Sequence, residues 1–160
     1  RIEPGNPHYA QTTLADLPYQ FTVSQLATVE LPPVGSPDAW ITIAYPSLTA
    51  RIYCTYMPIT PEKLPDVAKE TLSLVTQQVK AAGVLQRGYE NREEEVYCSL
   101  FILDGDAVSP IQFMLTDSTS RFFRGALYYE MRPNIDSLAP VTRYIQDDII
   151  ELVQSFRWKK

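Results

Sequence analysis

The fold of this chain is decided by residues 112–158, QFMLTDSTSRFFRGALYYEMRPNIDSLAPVTRYIQDDIIELVQSFRW. The stretch begins inside a β-type run, 109–116, and passes through the polar segment 117–119 into a longer aromatic run, 120–131. Short polar segments between runs rich in β-branched and aromatic residues are typical of hairpins. Together with the preceding run 95–103, the pattern predicts a meander of three antiparallel strands.

A proline-marked loop after the meander leads into a closing amphipathic helix. Asp136 and Ser137 are suitable N-cap residues for it. Apolar residues then recur at steps of three and four, which places the following residues on one face: Val141, Ile145, Ile149, Leu152 and Phe156. The acidic residues Asp147, Asp148 and Glu151 are predicted to lie mainly on the opposite face.

Upstream of the meander, the sequence predicts further strands and one long helix. The strand-like runs are YQFTVS (19–24), ATVEL (27–31), AWITIAY (39–45) and TARIYCTY (49–56), and the last two form a hairpin. A helix between Thr60 and Ala82 has one apolar face, made by Leu64, Ala68, Leu72, Val75, Val79 and Ala82. The polar segment 86–95 is predicted to be a loop.

The element order is strands, helix, meander, helix, within one domain. Residues 1–18 contain four Pro or Gly residues and no periodicity, so we predict an extended N-terminal lead-in, followed by a single domain over 19–160. An antiparallel sheet flanked by helices is the α+β arrangement that buries two amphipathic helices. This order resembles the Mog1/PsbP-like α/β/α sandwich.

Charge and composition exclude some classes of protein. The formal net charge is −5 and the isoelectric point is near 4.9. Nucleic-acid binding relies on clustered Lys and Arg, so we predict no nucleic-acid partner. No apolar run approaches the ~20 residues that span a bilayer. The chain starts at Arg1, so we expect a processed or trimmed protein whose targeting segment is absent.

Cys54 and Cys98 lie in two different strand-like runs. Two cysteines make neither a disulfide framework nor a complete zinc site. Two interpretations stay open: buried free thiols, or a bridge between adjacent strands in an oxidising compartment.

The sequence contains no recognisable catalytic constellation. His8, the one histidine, lies in the lead-in, where it is a poor basis for a nucleophilic triad or a catalytic zinc site. Asp104-Gly105-Asp106 lies between strand-like runs and predicts a turn instead of a calcium loop. Glu90, Glu93, Glu94 and Glu95 could form a patch for a metal or a cationic partner, but we favour the interpretation of a solvated loop. We therefore predict a protein that is not an enzyme and that has no metal or cofactor.

The most suggestive cluster lies in the aromatic run and comprises Arg121, Phe122, Arg124 and Tyr128. Strand alternation places Phe122, Arg124 and Tyr128 on one face. The other face carries the apolar or small residues Phe123, Gly125, Leu127 and Tyr129 and is interpreted as core. Gly125 predicts a bulge or a close packing contact. The first face is either packed under a helix, with Arg124 paired to an acid, or it is a binding surface.

The amino-acid sequence of this region also resembles that of a known family. The segments LTDSTSRFFRGALYYEMRPNIDSLAPV and YIQDDIIELVQSF are similar to the gliding-motility lipoprotein GldD family of Bacteroidetes. The resemblance is strongest over residues 111–158 and weaker around AWITIAYP and RIYCTYMPI. It implies no catalytic residues.

The resemblance implies a periplasmic protein that is lipid-anchored to the cell envelope. Its expected partners are envelope proteins of the motility apparatus or of the associated secretion machinery. The expected membrane contact is an N-terminal lipid anchor that precedes this chain. Two alternatives stay open: a small-ligand binding domain of the periplasm, and an enzyme that uses two converging carboxylates.

Overall fold

The computed structural model describes residues 9–11, 17–31, 40–76, 83–103, 109–130 and 135–159. The strands are β1 (Tyr9–Gln11), β2 (Tyr19–Gln20), β3 (Thr22–Ser24), β4 (Thr28–Glu30), β5 (Ile41–Tyr45), β6 (Ala50–Pro58), β7 (Val84–Asn91), β8 (Val96–Leu103), β9 (Ile111–Thr116), β10 (Arg121–Tyr129) and β11 (Arg157–Trp158). The helices are α1 (Leu64–Thr76) and α2 (Ile135–Ser155), and a 3₁₀ turn, Pro46–Leu48, joins β5 to β6.

The centre of the molecule is a seven-stranded antiparallel sheet in the order β4-β5-β6-β10-β9-β8-β7. Two small sheets, β1 with β3 and β11 with β2, accompany it. Residues of α2 belong to the hydrophobic cluster on one face of the sheet, and Val75 of α1 packs on the other face. The predicted α+β class, the β5–β6 hairpin and the β8-β9-β10 meander are therefore confirmed.

Strand β7 corrects the prediction of a loop at 86–95. Val84–Asn91 pairs with Val96–Leu103 without interruption along its whole length. The strand lies at the edge of the sheet and most of its side chains are exposed. A strand that buries neither face shows no apolar alternation, so its sequence resembles that of a loop. Only the turn 92–95 of the predicted segment is without strand structure.

The core between the sheet and α2 is filled by aromatic rings. Phe156 stacks on Tyr19 and Phe21, with centroid distances of 5.6 and 6.3 Å. Phe123 of β10 meets the same ring at 5.1 Å. The predicted apolar stripe of α2 supplies the rest, because Ile145, Ile149 and Leu152 are buried in this cluster. This face of the sheet therefore has a solid core.

Asp148 corrects the second prediction made for α2. Its side chain is only 1% exposed, although it was placed on the outer face of the helix. Its carboxylate accepts hydrogen bonds from the Tyr45 hydroxyl and, at 3.0 Å, from the backbone N–H of Ser24. Strand β3 lies against this side of α2, so the polar side of the helix is covered as well.

Helix α1 begins at Leu64, a turn after Thr60, and its predicted part beyond Thr76 up to residue 82 lies outside the described residues. Thr71 and Val75 are buried against the sheet. Leu72 was predicted on the buried face but is 38% exposed. Thr71 lies in the buried position instead. Its hydroxyl donates to the backbone carbonyl of Val67 at 3.1 Å, so its burial leaves no hydrogen-bond donor without an acceptor.

Gly125 marks a close approach and not a bulge. The pairing of β10 with both neighbours runs through it without an inserted residue. A Cβ built at this position would lie 2.4 Å from Cζ of Phe113, which is fully buried. Of the two predicted explanations, the packing contact is confirmed.

Both cysteines are buried free thiols, so the first of the two interpretations is confirmed. Burial raises the pKa of Cys98 to about 12 and raises that of Cys54 still further.

Within the lead-in, Tyr9–Gln11 pairs with β3. Neither helix of the described part combines the length and the apolar character needed to cross a bilayer.

Candidate functional site

The four residues predicted from the aromatic run lie in three separate places along β10. Arg121 is on the α2 face, where its guanidinium carbon lies 5.8 Å from the centroid of the Trp158 ring, a cation–π arrangement. Phe122 points to the α1 face and is 1% exposed. Arg124 and Tyr128 lie further along that second face. The structure brings only this last pair together at a surface.

Arg124 joins the sheet to α1. One guanidinium nitrogen donates to the hydroxyl of Thr71 at 3.2 Å, and another lies 3.6 Å from the carboxylate of Glu70. The side chain of Arg124 is 24% exposed, so the pair is partly solvated. This geometry matches the interpretation of an arginine packed under a helix and paired to an acid. The binding role of the same face stays a prediction.

Tyr128, which is partly exposed, pairs with Tyr53 of the neighbouring strand β6. The two ring centroids are 5.6 Å apart and the ring planes are tilted by 57°. Tyr53 is 49% exposed, which is unusual for a ring of this size in a chain with a filled aromatic core. The alternation in TARIYCTY, which separates Tyr53 from Ile52 and Cys54, could have identified this residue from the sequence.

A groove of about 220 Å³ runs between this tyrosine pair and α1. Leu74 of α1, which is half exposed, lines the groove from the helix side. Arg124 lines it from the sheet, which forms its floor. We call this feature the tyrosine groove and define it by these lining residues: Tyr53, Thr55, Thr71, Leu74, Gln112, Arg124, Ala126 and Tyr128. It exists because α1 covers only part of its face of the sheet.

A network of ion pairs borders the tyrosine groove on β6. Arg51 donates to Glu30 at 2.7 Å and to Glu130 at 2.9 Å, and thereby links β4 to the end of β10. These hydrogen bonds, first to Glu130 and then to Glu30, raise the pKa of Arg51 above its usual value. The network fixes a polar margin next to the exposed rings.

A second, wider groove of about 520 Å³ lies on the other side of α1, over β7, β8 and β9. Leu64 and Ala68 of the helix form one wall, and Tyr97 and Met114 belong to the sheet side. The buried ring of Phe122 lies in its floor. The helix therefore separates Phe122 from the tyrosine groove.

The chemistry available at these grooves is recognition by aromatic, hydroxyl and cationic groups. No group of three or more His, Cys, Asp or Glu that would suit a metal occurs within the described ranges. The buried groups Tyr45, Asp148, Cys54 and Cys98, whose pKa values are all raised chiefly by burial, lie on the α2 face of the sheet, away from both grooves described above or beneath their floors. His8 and the turn 104–106 lie outside the described residues.

Comparison with solved structures finds the same architecture in the solution structure of cyanobacterial PsbP (CyanoP) from Synechocystis sp. PCC 6803. The TM-score is 0.52 with 10% sequence identity, and the match covers 95% of this chain and 93% of that one. At this identity the similarity concerns the fold alone, and it confirms the predicted PsbP-like arrangement. A comparison with curated proteins found no match.

The family resemblance seen in the sequence is confirmed over nearly the whole chain. The family described as "Gliding motility lipoprotein GldD" matches residues 1–158, which include the lead-in and both helices. The match therefore extends well beyond the segment 111–158 that carries the resemblance most strongly. This chain belongs to the gliding motility lipoprotein GldD family.

Proposed function

We propose that this domain is a non-catalytic accessory part of the gliding or associated secretion apparatus and acts by binding other envelope proteins. The observation that carries the proposal is the ring pair of Tyr53, which is 49% exposed, and Tyr128, which is partly exposed, on the rim of the tyrosine groove. Tyrosine and arginine are enriched where proteins bind one another, because they offer large apolar area with a polar end.

The size and margin of the tyrosine groove favour a protein partner over a small molecule. Small-molecule sites typically occupy ~300–1,000 Å³ and enclose most of the ligand. The tyrosine groove has about 220 Å³ and is bordered by the Glu30–Arg51–Glu130 network. A small apolar centre with a hydrogen-bonded polar rim is the usual anatomy of a protein interface.

The family supports the location of this activity. The family is described as lipoproteins, which supports membrane attachment through a lipid. We propose that the domain lies in the periplasm and that the lipid precedes the residues of this chain. A tethered domain meets its partners within the length of its tether, and this raises their effective concentration. A modest groove is then sufficient for stable association.

The test is site-specific photocross-linking of the full-length lipoprotein in the living bacterium. A photoreactive phenylalanine derivative replaces Tyr53 or Tyr128, and the same residue replaces Leu26 as the control. Leu26 is 45% exposed in the turn between β3 and β4, so it matches Tyr53 in accessibility. We expect one discrete envelope protein to be captured from both tyrosine positions and not from position 26.

The matching functional variant is the double substitution Tyr53→Ala and Tyr128→Ala. We expect at least a tenfold loss of co-purified partner at unchanged protein level, as truncating interface aromatics costs ~2 kcal/mol or more. Leu26→Ala is the control and should keep the partner. Unchanged partner recovery and unchanged gliding in the double variant would refute the proposed surface.

The wider groove favours a second candidate, the binding of a small periplasmic ligand. Its volume of about 520 Å³ lies within the range of ligand sites, and Tyr97, Ser99 and Thr116 add polar groups to its apolar lining. Native mass spectrometry of the protein incubated with a periplasmic extract tests it. A bound species that disappears in Ala68→Trp, which fills the groove, but persists in Lys69→Trp on the exposed side of α1, would support this candidate.

A further inference from the structure

Strand β7 forms one edge of the large sheet and is fully paired on only one side. Val84–Asn91 pairs with β8 over eight consecutive positions, in one register and without a bulge. Within the described part of the chain, no strand pairs with its outer side. Val84 and Leu85 are 37% and 49% exposed. The backbone N–H and C=O groups that point outward from this strand therefore form a straight, regular edge.

Proteins normally protect such an edge. The common devices are a very short strand, proline, charged side chains (lysine above all) or a bulge. The opposite edge of the sheet follows this rule, because β4 has only three residues. The sequence of β7, VLQRGYEN, contains neither proline nor lysine, and its register shows no bulge. Its charged residues are one of each sign, Arg87 and Glu90. A long edge strand without proline, lysine or a bulge is a template for the addition of another strand.

We infer that the added strand is β7 of a second copy of this chain, in antiparallel pairing about a two-fold axis at Gly88. Residues that oppose each other in an antiparallel pair lie on the same face. About this axis Arg87 opposes Tyr89, Gln86 opposes Glu90 and Leu85 opposes Asn91, each twice. The pairing thus covers residues 85–91 and opposes no like charges.

Charge selects this register over its neighbours. The neighbouring registers place the two-fold axis at Arg87 or at Tyr89. The axis moves in steps of one whole residue, because only such steps keep every side chain on its face of the sheet. An axis at Arg87 places two guanidinium groups directly opposite each other, which is unfavourable. An axis at Tyr89 shortens the pairing to 87–91 and leaves Leu85 outside it. The axis at Gly88 avoids both costs and sets Arg87 over the ring of Tyr89, a favourable cation–π pair.

The dimer is expected to be weak and dependent on concentration. One pair of edge strands buries less than the ~1,200–2,000 Å² of standard stable complexes. The contact leaves the tyrosine groove open, because that groove lies over β6 and β10, several strands away. Self-association and the binding of an envelope partner are therefore separable in experiment.

Disulfide cross-linking of the full-length protein in its native membranes tests the register. In Gly88→Cys the two Cα atoms face each other at ~4.5–5.5 Å, within reach of a disulfide. In Gln86→Cys the two copies are offset by four residues, ~13 Å, and are out of reach. The native thiols of Cys54 and Cys98 are buried and do not compete. We expect a homodimer from Gly88→Cys at least tenfold more abundant than from Gln86→Cys.

A second pair of variants covers the case in which Gly88→Cys does not fold. The double variant Gln86→Cys/Glu90→Cys should cross-link to a homodimer, since these positions oppose each other in the inferred register. Equal cross-linking of Gln86→Cys alone and of the double variant would overturn the register. Absence of any homodimer, or capture of a different protein at position 88, would overturn the inference that the partner is a second copy.

Analytical ultracentrifugation of the purified chain gives an independent measurement. Gly88→Glu places two carboxylates against each other at the axis, and its side chain has room, because an added Cβ meets only the carbonyl of Cys98 at 3.9 Å. We expect about tenfold weaker self-association from these opposed like charges. Gln25→Glu adds the same charge at an exposed turn and should have no effect. Equal behaviour of the two variants would contradict the inferred contact.

Discussion

Gly125 illustrates at the scale of one residue how the sheet and its core depend on each other. The ring of Phe113 on β9 occupies the volume that a side chain at position 125 would need. Phe113 is itself fixed against Phe123, with ring centroids 6.3 Å apart, and both rings are fully buried. A side chain at position 125 therefore requires the Phe113 ring to move out of its contact with Phe123.

We predict that Gly125→Ala destabilises the fold by ~1–3 kcal/mol, because a methyl group inserted into a full core forces neighbouring groups apart. Gly88→Ala is the matched control, since its new Cβ makes only an ordinary contact at 3.9 Å. Urea unfolding followed by far-UV circular dichroism measures both. Equal midpoints for the two variants would show that Phe113 can yield.

Asp148 is the second residue whose environment has a measurable consequence. Burial raises the pKa of its carboxyl above the usual value, and the hydrogen bonds from Tyr45 and from the backbone N–H of Ser24 only partly oppose this. A carboxyl whose pKa is higher in the folded than in the unfolded chain takes up a proton on folding. Its contribution to stability is therefore greatest at low pH and is lost as pH rises through the raised pKa.

We predict that Asp148→Asn removes this pH dependence, because an amide is neutral like the protonated acid. Its oxygen can still accept from the backbone N–H of Ser24, and its NH2 group donates to the Tyr45 oxygen in place of accepting from it. The free energy of unfolding of the wild type, relative to that of Asp148→Asn, should decrease as pH rises from about 4 through the raised pKa. Glu93→Gln, a change at an exposed carboxylate, is the control. A difference between wild type and Asp148→Asn that is independent of pH would contradict the assignment.

At the scale of elements, α2 satisfies the backbone of β3. The Ser155 hydroxyl accepts from the backbone N–H of Thr22 at 2.8 Å, and the Glu151 carboxylate accepts from the Thr22 hydroxyl at 2.8 Å. Asp148, Glu151 and Ser155 are spaced by three and four residues, so they lie in one row along the helix. The row substitutes for a neighbouring strand along this edge of β3.

We predict that Ser155→Ala lowers the free energy of unfolding by ~1–3 kcal/mol, since it leaves the N–H of Thr22 without its acceptor. Gln154→Ala, at the adjacent exposed position, should change it by less than ~0.5 kcal/mol. Hydrogen exchange at the amide of Thr22 supplies a local measurement. Unchanged protection of this amide in Ser155→Ala would contradict the role of the side chain.

At the scale of the whole molecule, the chain is closed by its C-terminal strand. Trp158 of β11 donates to the carbonyl of Glu95 at 2.9 Å and meets Phe156 edge-on at 4.8 Å. The same strand pairs with β2 near the start of the domain. The tryptophan therefore connects the turn before β8, the aromatic core and the N-terminal strands.

We predict that Trp158→Ala destabilises the domain by ~1–3 kcal/mol and lowers the midpoint of a single cooperative transition, because a half-buried ring is lost from the core between the sheet and α2. Trp158→Phe should recover most of this loss, since it restores the ring contact and lacks only the hydrogen bond. Thermal unfolding observed by circular dichroism tests both variants. Two separate transitions would show that the small sheets unfold independently.

Local rules in the sequence determined the elements that bury one face. The stripe ending at Phe156, the alternation along β10 and the turn at 117–119 each follow from a periodicity or a turn composition that acts over a few residues. Asp117 shows the same locality, because its carboxylate accepts from the backbone N–H groups of Thr119, Ser120 and Arg121. These signals predicted the meander, the closing helix and the α+β class.

Tertiary structure decided the features that depend on contacts between residues distant in sequence. Strand β7 exists because β8 pairs with it, and Asp148 is buried because β3, more than a hundred residues earlier, covers it. The placement of Arg121, Phe122, Arg124 and Tyr128 in separate environments was likewise set by α1 and Trp158. The periodicity of the sequence predicts which face of a helix or strand a residue lies on. The elements that pack against that face determine which residues it contacts.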